Sequence, residues 1–173
     1  MNAPGGDVVY RSRGKDGLAA AQAFIERAAS EEYGSLAGDA ARAEAASNVA
    51  AFDAERDVLL TAERERRLVG VLLISRNAAE PDAARFDWLM VEGSERNGGV
   101  GRELLFRGIE TCRERRLLVL RARCFAASPA GPHLYWLHGF RVVDLIPVMV
   151  GETTRESVLF EKRLSPPAES PGT

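Results

Sequence analysis

A chain of 173 residues, 46% of them hydrophobic, is long enough for one domain that buries about two-thirds of the surface its unfolded form exposes. Its net charge of −2, with both signs interspersed, excludes a dedicated nucleic-acid binder, which carries a basic stripe. Two cysteines are too few for a disulfide-stapled secreted domain. With no signal-peptide pattern at Met1 to Gly6 and no run near the roughly 20 apolar residues that span a bilayer, a soluble cytoplasmic protein is expected, without membrane partners.

In chain order, Asp7 to Arg13 reads as a short strand closed by the turn from Gly14 to Gly17. Asp16 is placed to cap a helix running to about Tyr33, with Leu18, Ala21, Ile25 and Ala28 on one face and Phe24 beside them. Its end, Glu31-Glu32-Tyr33, reads as a solvated helix end, with attraction of a cationic amine as the alternative. A second, alanine-rich helix is expected from Asp39, as cap, to about Phe52. Asp57 to Glu63 and Leu68 to Ser75 are strands joined by the polar turn Glu65-Arg66-Arg67, so a hairpin is expected. Asn77 to Asp82 is a loop, and Arg85 to Glu92 a further strand.

From Val100 to Arg115-Arg116 the pattern is helical: Leu104, Leu105, Gly108, Ile109 and Cys112 face one way, Glu103, Arg107, Glu110 and Glu114 the other. Leu117 to Phe125 is a strand in which Leu118, Leu120, Ala122 and Cys124 alternate with Arg121 and Arg123. A short helix from Pro132 to Leu137 precedes strands at Phe140 to Val150 and Glu156 to Leu164. The domain is expected to span residues 1–164, with a disordered proline-rich tail over 165–173. The order β-α-α-β-β-β-α-β-α-β-β predicts an α/β (α+β) fold, a mixed and mostly antiparallel seven-stranded sheet flanked by about four helices.

Between the strand ending near Glu92 and the helix beginning at Val100 lies Gly93-Ser94-Glu95-Arg96-Asn97-Gly98-Gly99-Val100-Gly101-Arg102. Strand, glycine-rich turn, helix offers unpaired N–H groups to an anion. A Walker A loop needs lysine then serine or threonine after its last glycine, where this chain has Arg102-Glu103. A dinucleotide fingerprint needs a third glycine where Leu104 stands. What remains is Arg96-x-x-Gly99-x-Gly101 after a strand reading Leu89-x-Val91.

That pattern resembles the signature of the GNAT superfamily of acyl-CoA-dependent N-acyltransferases, Arg/Gln-x-x-Gly-x-Gly/Ala. A second block, Asn-x-x-Ala-x-x-Leu-Tyr-x-x-x-Gly-Phe, is matched by Leu134, Tyr135, Gly139 and Phe140, while Ser128 replaces the asparagine and Gly131 the alanine. The resemblance covers roughly Val8 to Leu164.

It implies acetyl-CoA or coenzyme A as co-substrate, its pyrophosphate held by N–H groups from Asn97, Gly98, Gly99, Val100, Gly101 and Arg102, with charge from Arg96 and Arg102. It implies a pantetheine arm along Leu89, Met90 and Val91, with the Val91 N–H as oxyanion donor and Ser128 helping to hold the arm. Tyr135 is implied as the acid that protonates the leaving thiolate, and Asp87, with Glu92 as a weaker candidate, as the base acting directly or through water. On a simple strand, Asp87, Leu89 and Val91 share a side. The implied reaction is transfer of a short acyl group to an amine of unread identity by direct attack in a ternary complex. The alternative is a non-catalytic acyl-CoA-binding module on the same fold. A homodimer is an open expectation.

The remaining conspicuous residues read as structural. His133 and His138 have no third ligand at metal spacing, Cys124 reads as a buried thiol, and Trp88 and Trp136 as packing residues.

Overall fold

A computed structural model describes residues 6–128, 130–150 and 152–165, apart from the side chains of residues 35–37. Seven strands form one sheet in the order β1-β2-β3-β4-β5-β7-β6: β1 Val8–Arg13, β2 Val58–Arg64, β3 Arg67–Ser75, β4 Ala83–Val91, β5 Val119–Phe125, β6 Arg141–Val150 and β7 Thr153–Arg163. Among the described residues four α-helices accompany them: α1 Leu18–Tyr33, α2 Ser35–Ala51, α3 Val100–Glu114 and α4 Gly131–Leu137. Every neighbouring pair is antiparallel except β4–β5, which the α3 crossover makes parallel. This is the expected mixed, mostly antiparallel sheet.

The hydrophobic patterns divide the core into two layers. α3 brings Val100, Leu104, Leu105, Ile109 and Cys112 onto one face of the sheet, where they meet Leu72, Phe86, Leu120 and Phe160. α1 and α2 cover the other face with Phe24, Ile25, Ala28, Ala41 and Ala45 against Leu59, Val71, Leu73 and Met90. Each fully buried large side chain among these is worth about 1.5–3 kcal/mol of transfer free energy. Gly108 sets how close α3 lies: a Cβ there would come within 2.5 Å of Leu72 Cδ2. An alanine at this position would force the helix or the leucine to move.

Several boundaries differ from the sequence reading. Asp16 falls inside a 3-10 turn, Lys15–Gly17, and the N-cap of α1 is Gly17 rather than Asp16. α2 starts at Ser35 behind a Gly34 cap with φ 87°, so Asp39 lies within the helix instead of capping it. The glycine reverses the chain between two helices directly, and no loop of several residues is needed. Leu118 precedes β5 and is exposed, leaving Leu117 as the buried residue of that pair. The proline-rich tail lies, from residue 166 onward, outside the described residues. Among the described residues no helix is long and apolar enough to cross a membrane.

Candidate active site

β4 and β5 pair only over Ala83–Phe86 and Val119–Ala122. Beyond them the two strands separate, and the gap opens into a cleft of about 600 Å³ that reaches from the α3 face to the α1–α2 face. Asp87, Leu89, Met90, Val91, Arg96, Asn97, Gly99, Gly101, Arg102, Ser128 and Tyr135 all line it. Two expected members of the set do not. Val100 is buried beneath α3, and the Gly98 N–H is engaged with the Glu95 carbonyl at 3.4 Å. Glu92, the weaker base candidate, also lies outside the cleft, tied to Arg67 at 3.0 Å and facing Arg27 at 3.8 Å.

Strand register decides what β4 offers. The Glu92 N–H donates to the Val69 carbonyl at 2.9 Å, so Gly70 and Val91 form the next, non-bonded pair. The Val91 N–H and carbonyl therefore point away from β3, into the gap that β5 has left. The carbonyl accepts from Arg96 Nε at 3.2 Å. The N–H has no strand opposite it.

At the start of α3, Asn97 and Gly99 are left-handed, with φ 64° and 87°. That reversal turns the loop so that the first amides of the helix face outward, and Gly99 itself has open space where a Cβ would stand. The Glu103 N–H closes the first helical bond onto Gly99. Among the described residues, the N–H groups of Val100, Gly101 and Arg102 have no backbone acceptor, and Gly101 and Arg102 line the cleft, so the positive helix end meets it with free donors. Arg102 is exposed and has no partner among the described residues. These groups fit a phosphate. Glu95 holds the loop from behind, its buried carboxylate bridged by Arg64 at 3.0 and 3.1 Å.

Asp87 is the extra residue of a β-bulge. Leu73 pairs with Trp88 and Ile74 with Phe86, so nothing on β3 opposes Asp87. Simple alternation is thereby broken: Phe86 and Leu89, three apart, pack on the same core layer. Only 3% of the Asp87 side chain is exposed, and Oδ2 has no hydrogen-bond partner among the described residues. Oδ1 accepts from Arg85. Desolvation raises the carboxyl above the usual aspartate range, against the opposing pull of Ser75 and Arg85. A buried, half-unpartnered carboxylate facing a cleft is suited to accept a proton.

Tyr135 sits across the gap, with ring contacts to Phe140 and Phe160 at 5.3 Å each. It is 4% exposed, and burial pushes its phenol well above the ordinary range, so it keeps its proton. Cys124, half-buried in the same wall, is pushed up to about 12 by desolvation and then by Glu32, which makes it a poor nucleophile.

The structure departs from the sequence expectation at Glu32 and at Trp136. Glu32, at the supposedly solvated end of α1, has only 12% of its side chain exposed and lines the cleft. Its Oε2 accepts from Arg96 at 2.9 Å and its Oε1 from the Ser128 hydroxyl at 3.1 Å. Ser128 Oγ in turn accepts from the Gly131 N–H at 3.3 Å. Glu32 thus joins α1, the glycine loop and the turn before α4. Trp136, expected to pack, is 66% exposed and stacks on His133.

Residues 20–140 match the model of the acetyltransferase (GNAT) family. The chain belongs to that family. Acetyl-CoA-dependent acyl transfer is the activity this membership implies. A search of curated proteins gives no match. Among solved structures, the chain is similar to the ribosomal-protein-S18-alanine N-acetyltransferase of Escherichia coli, at 19% identity and TM-score 0.72 over 96% of this chain and 100% of that one. PaiA N-acetyltransferase of Thermoplasma acidophilum, in complex with coenzyme A, matches at 14% identity and TM-score 0.72 over 91% and 99%. YncA of Salmonella typhimurium, with its cofactor acetyl-CoA, matches at 18% identity and TM-score 0.68 over 93% and 98%. At these identities the likeness is one of fold.

Proposed function

We propose that this GNAT-family chain transfers an acetyl or other short acyl group from acyl-CoA to a primary amine by direct attack in a ternary complex. The observation that carries the reading is the gap between β4 and β5. It turns the Val91 N–H toward a cleft that Asp87 and Tyr135 also line.

The free amides of Val100, Gly101 and Arg102, with the Arg102 guanidinium, hold the pyrophosphate. The unpaired edge of β4 at Leu89 to Val91 takes the pantetheine arm as a strand partner would, and the Val91 N–H polarises the thioester carbonyl. Asp87 accepts the proton from the attacking amine, directly or through water, and Tyr135 hydrogen-bonds and protonates the departing thiolate. The raised Asp87 carboxyl strengthens it as a base, and the phenol's retained proton keeps the acid in its working form. No nucleophile of the chain enters, because the cleft's thiol is held protonated.

Release of free thiol from acetyl-CoA over an amine panel tests the proposal. Turnover on at least one amine supports it. Tight coenzyme A binding with no turnover on any amine would point to a binding module instead.

A homodimer is a proposal of the same kind. β6 is an edge strand, and Val142, Val143, Leu145 and Met149 on it are exposed. Sedimentation should give a dimer that Leu145→Lys disperses; a monomer at all concentrations refutes it.

A further inference from the structure

The acceptor side of the cleft has a composition of its own. Along β5, Leu120, Ala122 and Cys124 pack with the α3 layer, so Arg121, Arg123 and Phe125 project to the opposite face. Phe125 meets Tyr33 edge to face at 5.1 Å, and both line the cleft, as does Trp88. Register extends this face onto β7: Phe125 is opposite Ser157, and Arg155 lies two residues from Ser157 along the strand. The Arg155 guanidinium rests 5.9 Å from the Phe125 ring centre and has no carboxylate partner among the described residues. Arg123 lines the cleft and meets one carboxylate, Glu44 of α2, through a single contact at 3.0 Å.

Among the described residues, no carboxylate that lines the cleft is left without an arginine. Glu32 is held by Arg96, Glu44 by Arg123 and Asp87 by Arg85. Arg121, on the same face, is taken up by Glu80 and Glu161, whereas Arg123 at the cleft and Arg155 at its edge have only Glu44 between them, beside a wall of aromatic rings. The end of the face at Arg123 and Arg155 is therefore short of one negative charge and repels an extended polycation. Resting on the transferase reading above, we propose that the acceptor is a primary amine whose aromatic body also carries a carboxylate, held by Arg123 and Arg155. The body packs against Phe125 and Tyr33. Arg123 can turn from its single Glu44 contact to a two-pronged one, as guanidinium–carboxylate geometry favours.

Matched amines that differ only in the acid test this: 4-(aminomethyl)benzoate against benzylamine, and phenylalanine against phenylalaninamide, with spermidine as the polycation. Both turnover and calorimetric binding to the coenzyme A-loaded protein are measured. At least one acid-bearing member should exceed its neutral partner about tenfold or more in kcat/KM and in affinity. Arg123→Gln and Arg155→Gln should each cut that ratio to within about threefold, while coenzyme A affinity and the melting temperature hold. Turnover with neutral partners equal or better, or with spermidine best, overturns the inference and leaves the transferase reading intact. Selective, arginine-dependent binding of the acids without thiol release sustains the inference and refutes catalysis. Binding of none of the acids overturns it.

Discussion

On the α3 side of the cleft, where the donor is proposed to bind, the groups on offer apart from the Tyr135 phenol are backbone amides from one short run of chain, Val91 to Arg102. On the α1–α2 side they are side chains from four elements: Glu32 and Tyr33 from α1, Glu44 from α2, Asp87 and Trp88 from β4, and Arg123 and Phe125 from β5. A donor site made of amides needs little beyond glycines and a helix start, so it tolerates change elsewhere. An acceptor site made of converging side chains can be re-specified one substitution at a time. This division predicts that variants in the amide run of the first side alter coenzyme A affinity, and that variants on the second side, like those at Tyr135, alter turnover or acceptor KM.

Asp87→Asn gives the largest expected effect and tests the second half of that statement. Turnover should fall by about 10²- to 10⁴-fold with coenzyme A affinity unchanged. The wild-type kcat/KM should show an acid limb above the ordinary aspartate range, and Asn should abolish that limb. Stability moves the opposite way. A carboxyl raised on folding binds more protons folded than unfolded, so wild-type stability falls as pH rises from the unfolded to the folded value and stays reduced above it. At pH 7 Asp87→Asn should therefore melt higher than wild type. A lower melting temperature with retained turnover would make Asp87 structural.

Tyr135→Phe should lower kcat by about 10²-fold while the ring contacts to Phe140 and Phe160 preserve the fold. Because burial raises the phenol, no alkaline loss of activity from Tyr135 is expected below about pH 10. Unchanged turnover of the folded variant removes the acid role.

Gly99→Val tests the first half. Its Cβ would meet nothing in the protein, but φ 87° strains a branched side chain, and the methyls would enter the space the amides face. Coenzyme A affinity should fall about tenfold or more in calorimetry with acceptor KM unchanged. Intact affinity removes the loop from phosphate binding.

The two sides also differed in legibility, for the same reason. Arg96, Gly99 and Gly101 lie within six residues, so a local pattern carries them, as it does Tyr135 within the run to Phe140. The order of elements along the chain follows from hydrophobic period and loop length, but the place of β7 between β5 and β6 in the sheet does not. Asp87 was found by its position, but the bulge that buries it was invisible, because a one-residue slip leaves no mark in composition. The gap between β4 and β5 leaves no local mark in the sequence. Glu32 lies 64 residues from Arg96 and 96 from Ser128 in the chain, and a glutamate at a helix end is ordinarily solvated. Gly34 hid the start of α2 in a similar way: Asp39 looked like the better cap, yet a glycine with positive φ turns the chain with no side chain at all.

Glu32 is also where the division between the two sides should fail. It reaches from the acceptor side to Arg96, which grips the Val91 carbonyl at 3.2 Å, and to Ser128 beside the donor arm's expected path. Glu32→Gln keeps the shape and an acceptor oxygen but removes the charge. Since Arg96 is partly exposed, the pair is screened, and the loss should be about 1 kcal/mol, or roughly 2–4 °C in melting temperature. The kinetic effect should be a few-fold rise in KM for both coenzyme A and the acceptor. Arg96→Gln should shift both constants in the same direction, and the double variant should fall short of the product of the two. A rise confined to the acceptor would place Glu32 on one side only and leave the glycine loop anchored by Glu95 and Arg64, whose two bonds at 3.0 and 3.1 Å lie behind it.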